Sequence, residues 1–191
     1  MLSSITPLGQ RGRGVSWART VVAFWVGALI AGAGVFGMLG WIGESIGIDR
    51  LNPWYTIGLI VAAGSLDLAG VKPPGLHRQV DEDWLGRYRD WVVGLGFGAQ
   101  LGAGFATIIP SFGTWAMLLV ALGIGFPYAM FIGIAFGAGR SLLLLSTRSV
   151  RSTSSLADRM RRFTHAEDAA RRAALAGYAT VLVLMVVVNV T

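Results

Sequence analysis

At 191 residues, 54% of them hydrophobic and 14% charged, the chain holds far fewer charges than the roughly 25% usual in a soluble domain. The formal charge is +6, and all but one of the sixteen basic residues are arginine. They lie between apolar blocks rather than along one face, which argues against nucleic acid and for positive loops beside membrane spans. There is no cysteine, so disulfides, thiol redox chemistry and thiolate metal sites are excluded.

The first nineteen residues contain Arg11, Arg13 and Arg19 and read as a cytoplasmic tail. The apolar run that follows, Thr20–Ile42, exceeds the core of a signal peptide and predicts a retained first span. Trp17 and Trp41 flank it at headgroup level. Glu44 and Asp49 follow as solvated residues. A second span is predicted over Trp54–Val71 and a third over Trp91–Ile109, each opened by a tryptophan. Between them, Val80–Trp91 mixes charge with Trp84, Tyr88 and Trp91 at helical spacing and reads as an amphipathic lead-in helix. His77 lies in this loop and His165 in a later one, and neither has metal-ligand company.

Ser111–Gly125 is apolar but short, bracketed by Pro110 and Pro127. It predicts a re-entrant or interfacial helix, or one that crosses only with help from its neighbours. Phe126–Leu145 predicts a fourth full span. The basic loop 146–170 precedes a last span within 171–191, whose hydrophobic stretch is Arg172–Val190. Thr164 and Glu167 fit a capping box, so the last helix is expected to start near His165.

The fold class expected is therefore all-α: a polytopic helical bundle of about five spans plus one short helix. Its core covers 20–145. Lys/Arg counts place the N-terminus and both long basic loops in the cytoplasm and the C-terminus outside a plasma (inner) membrane. Gly32–Val35 aligns with Gly102–Phe105, and Gly58–Gly64 with Gly133–Gly139. Either a duplication, with halves 20–71 and 91–145, or the chance likeness of two Gly/Ala-rich spans accounts for this.

Within the third span Gly94, Gly98, Gly102 and Ala106 recur every four residues, one helix face suited to close contact, and Gly133 and Gly137 offer a second. A glycine-weakened helix that breaks at Pro110 also frees backbone carbonyls to line a cavity. Gln100, Thr107, Pro110 and Ser111 are accordingly the candidate substrate contacts, with inter-helix hydrogen bonding the plainer role for Gln100 and the satisfying of backbone groups freed around Pro110 the plainer role for the hydroxyls. Asp67 and Arg140 are charges within spans, which are costly unless paired; an ion pair between the second and fourth spans is expected.

The glycine-rich helix that runs into a proline, GFGAQLGAGFATIIP, resembles the CcdA/DsbD transmembrane family and its LysE-like relatives. That resemblance implies a small helical membrane scaffold that moves reducing equivalents or small solutes. It covers roughly 20–145, without the cysteine that the family carries near the proline in each half. No catalytic triad, metalloprotease motif, phosphate loop or paired catalytic carboxylates occur, so neither an enzyme nor a cofactor is expected. The function expected is a small-solute transporter or permease-like component, or else a non-catalytic accessory subunit of a membrane complex. The expected partners are membrane lipid, a second copy of the chain or another membrane subunit.

Overall fold

The computed structural model describes residues 6–7, 10, 14, 16–48, 53–75, 87–106, 111–145, 148, 152, 154, 161 and 167–190, without the side chains of 143, 167–171 and 184–190. The main elements are six helices: α1 Trp17–Ser45, α2 Pro53–Leu68, α3 Asp90–Gly102, α4 Phe112–Gly123, α5 Phe126–Leu145 and α6 Glu167–Val190. The described residues contain no strand, so the chain is an all-α bundle.

α1 is the central element, and glycine makes it so. A Cβ added at Gly94, Gly98 or Gly102 of α3 would collide with the carbonyl oxygen of Thr20, Phe24 or Ala28 of α1. The successive pairs show that α3 runs parallel to α1, backbone against backbone. On another side, Gly40 meets Ala129, Gly32 meets Gly133, and Gly137 meets Ala28, so α5 runs antiparallel to α1. Such seams let dispersion contacts and weak Cα–H···O bonds act between whole backbones, which a Cβ at the contact would prevent.

Two apolar clusters fill the spaces beside these seams. One joins Val21 and Phe24 of α1 to Val93 and Phe97 of α3 and Leu144 of α5. The other joins Phe36 of α1 to Leu118 and Ala121 of α4 and Ala129 of α5. Phe36 and Phe136 stack at 5.2 Å between ring centres. Outward faces stay apolar as well: Ile30, Trp41, Tyr55, Phe131 and Val183 are all exposed.

The helix boundaries refine the expected segments. α5 occupies the predicted Phe126–Leu145, and α1 extends the first segment at both ends. α6 starts at Glu167, two residues after His165. α3 stops at Gly102, well short of Ile109. Ala106 therefore lies past the end of the helix and does not continue the glycine stripe. Among the described residues, α1 alone is both long enough and apolar enough to cross a membrane by length and composition.

Glu44 is exposed, as expected, and accepts a hydrogen bond from the Phe126 N–H at 2.7 Å, so that it caps α5. Its carboxylate also packs where a side chain on Gly125 would stand, and Gly125 has φ +82°, which suits glycine. Replacing Glu44 by alanine is expected to cost about 1 kcal/mol of stability, as for other lost N-terminal caps. Chemical unfolding of the detergent-solubilised variant measures this; an unchanged midpoint contradicts the cap. Arg19 and Asp90 tie the starts of α1 and α3 at 3.6 Å, but Arg19 is 71% exposed and the pair adds little.

Candidate functional site

α3 and α4 together make one interrupted rod beside α1. α3 lies against the first half of α1, from Thr20 to Ala28. α4 lies against the second half, where Leu118 packs with Phe36 and the Leu122 carbonyl meets Gly43. Both run in the direction of α1. At ~1.5 Å per residue they measure about 20 and 18 Å, so each falls short of a hydrocarbon core of about 30 Å and their sum exceeds it. The interruption falls near mid-height of α1. Gly104, with φ +80°, turns the chain there, and Thr114 and Phe136 close around it.

An interrupted helix exposes two sets of unpaired backbone groups, carbonyls on one side and N–H groups on the other. The chain supplies a charge of the correct sign to each. Arg140 of α5 reaches the end of α3, where its Nη1 donates to the carbonyls of Leu101 at 3.3 Å and Gly104 at 3.5 Å. Its guanidinium also sits 5.4 Å from the Phe136 ring centre. Asp67 of α2 meets the start of α4, accepting from the Phe112 N–H at 2.9 Å through Oδ1. Cation at a C-terminus and anion at an N-terminus are the favourable arrangement for the helix dipole. Asp67 and Arg140, expected as an ion pair from sequence, thus each hold a helix end at the interruption.

Asp67 holds more than one backbone group. Its Oδ2 accepts from the Ser111 hydroxyl at 2.8 Å and from the Tyr178 hydroxyl at 2.7 Å. The Ser111 and Tyr178 oxygens lie 2.9 Å apart, and Ser111 Oγ accepts from the Gly113 N–H at 2.9 Å. α2, α4 and α6 thus meet at one polar knot. Gly113 and Gly64 leave room for the Tyr178 ring, which stands within 3.6 Å of a Cβ built at Gly64.

Beside the knot lies a groove of about 740 Å³ between α2, α4, α5 and α6, open on the side where Met117, Ala135, Ala174 and Val181 are exposed; it is called the cavity below. Ser111, Thr114 and Tyr178 stand at one end, and Ile60, Val120, Ile124 and Ile132 are among its apolar walls. Of the candidate substrate contacts, Ser111 lines this cavity and caps α4. Thr107 and Pro110 lie outside the described residues. Gln100 is half-buried on α3 and is not part of the cavity wall. Tyr178 was not singled out from sequence; a lone tyrosine inside an Ala/Val-rich helix is the signal that marks it, since a mid-helix phenol needs a partner. No group of three or more potential metal ligands exists among the described residues.

Comparison with known proteins adds one curated relative. The methylamine utilization protein MauF of Paracoccus denitrificans shares 31% identity over 154 residues, 73% of this chain and 54% of that protein. The chain spans about half the length of this relative. No family model matches the sequence, and no solved structure does.

Proposed function

We propose that this chain is a membrane protein of five crossings that passes a small solute, as a permease-like component of a methylamine-utilising system. The observation that carries the reading is the interrupted rod: two half-helices end to end at mid-height, their facing ends held by Arg140 and Asp67 beside a cavity. Discontinuous helices with their ends at the midplane are how many transporters build a solute site. α3 with α4 then counts as one crossing and α1, α5 and α6 as three others; α2, which ends one residue after Asp67 at the interruption, makes the fifth only together with the chain that follows it, and this count keeps the arginine-rich loops on the cytoplasmic side. The exposed apolar faces of α1, α2 and α5 support a lipid setting. The likeness to the CcdA/DsbD and LysE-like scaffold belongs to this proposal, as does the plasma-membrane location. The relative's printed name supplies the methylamine setting.

Topology has a direct test, because a chain without cysteine accepts single-cysteine probes on its native background. Ser16→Cys is expected to label from the cytoplasmic side only and Ser45→Cys from the opposite side only. Labelling of both from one side overturns the crossing of α1.

Transport is tested in proteoliposomes with radiolabelled methylammonium. The expected result is saturable uptake above protein-free vesicles, lost in Arg140→Met. A second reading, a non-catalytic accessory subunit or a homo-oligomeric packing element, is favoured by the closely packed glycine seams. Absence of uptake, together with co-purification of a second membrane protein, replaces the first reading with this one.

A further inference from the structure

We propose that the cavity between α2, α4, α5 and α6 is a binding site for protonated organic amines with an alkyl or aryl body larger than methylamine. The inference deepens the permease reading and rests on it for the lipid setting, while its test is binding alone.

The head-group preference follows from a proton inventory. Ser111 and Tyr178 each own one hydroxyl proton. Three short contacts compete for these two protons: Ser111 to Asp67, Tyr178 to Asp67, and Ser111 to Tyr178. However the two protons are arranged, both are used inside the knot. The knot therefore offers the cavity oxygen lone pairs and no donor. A ligand head that fits must bring its own N–H or O–H groups. The Asp67 carboxylate directly behind the two hydroxyls makes their oxygens richer acceptors and favours a positive head over a neutral one. A carboxylate or carbonyl head finds no donor in the knot and beside it only the hydroxyls of Thr56 and Thr114, while the Asp67 charge behind the knot repels an anion.

The body preference follows from size and lining. Water's share of liquid volume is ~30 Å³, so methylammonium, with two heavy atoms, fills on the order of a tenth of a cavity of about 740 Å³. The remaining walls include Ile60, Met117, Val120, Ile124, Ile132 and Val181. They reward each methylene that is buried, by about a three- to fourfold gain in affinity per CH₂. α4 carries the lining from Ser111 at the polar end to Ile124 at the other, so the slot is long enough for an extended chain.

The test is calorimetric titration of the full chain in lipid nanodiscs with methylammonium, butylammonium, hexylammonium, hexanol and hexanoate. Empty nanodiscs are subtracted to remove partitioning into lipid. Affinity is expected to rise about three- to fourfold per methylene from butylammonium to hexylammonium. Hexanol is expected to bind at least tenfold more weakly, and hexanoate more weakly still. Tyr178→Phe, which leaves Asp67 and Ser111 in place, should weaken hexylammonium by about tenfold. Ala135→Phe, which fills the cavity from α5 without touching the knot, should abolish binding in a normally folded protein. Equal binding of hexanoate, no dependence on chain length, or undiminished binding in Ala135→Phe each overturns the inference. Methylammonium uptake without hexylammonium binding overturns this inference and leaves the permease reading standing; binding without any uptake does the reverse.

Discussion

Replacing Gly98 by leucine is expected to lower the stability of the purified protein by about 3 kcal/mol or more, the upper end of what overpacking costs. The reason is that the obstacle is backbone. A Cβ at Gly98 meets the carbonyl oxygen, carbon and Cα of Phe24, none of which can rotate aside as a side-chain end does. Relief requires α3 to move off α1 along its length, and Gly94 and Gly102 are seated on the same helix in the same way. Moving α3 also opens the cluster of Phe24, Val93 and Phe97, each of them almost fully buried. The measurement is denaturant or thermal unfolding followed by circular dichroism, with Gly34→Leu as the control. Gly34 lies in α1 with nothing within 4 Å of its added Cβ. The control is expected to be neutral or slightly stabilising, because leucine favours helix over glycine by up to about 1 kcal/mol. Equal effects at the two positions contradict the seam.

The second large effect is expected at Asp67. Asp67→Ala should cost about 2–3 kcal/mol, since a charged acceptor of hydrogen bonds is lost and partners in a half-buried site are left unsatisfied. Three groups lose it together: the Phe112 N–H, the Ser111 hydroxyl and the Tyr178 hydroxyl. Asp67→Asn keeps the shape and one acceptor oxygen but introduces an NH₂ where two hydroxyls already donate, so it should recover about half of the loss. Tyr178→Phe removes the hydroxyl's bond to Asp67 and its contact with Ser111 but leaves the carboxylate in place, and should cost about 1 kcal/mol. Double-mutant cycles make the knot visible: Asp67→Ala and Tyr178→Phe together should cost clearly less than the sum of the single changes. Strict additivity would mean that α6 is not tied to α2 through Asp67.

The sequence is informative where one residue type has one physical use. Trp17, Trp54 and Trp91 mark helix starts to within one residue. Gly94, Gly98 and Gly102 sit on the seam with α1 that their four-residue spacing describes. The short helix before Phe126 is also legible, because Ser111 and the flanking prolines leave room for nothing longer. Where α3 stops was not legible. GFGAQLGAGFATIIP is apolar apart from Gln100 and Thr107 and holds its proline late, so hydropathy carries the helix past Gly102, whereas the chain turns at Gly104. The helix ends that Asp67 and Arg140 hold were not legible either, and Tyr178 lies far along the chain from both.

By itself, then, the amino-acid sequence determined the helical class, the apolar blocks, the small-residue contact faces and the exclusion of thiol chemistry. These depend on composition and on spacing along one chain. Tertiary structure decided that α3 and α4 stack into a single interrupted rod, and that Arg140 and Asp67 serve its two facing ends. It also decided that Tyr178 closes a polar knot against a cavity. Those outcomes depend on which helix ends meet in space, and a carboxylate goes to the strongest set of donors within reach: here a helix N-terminus and two hydroxyls on three different helices.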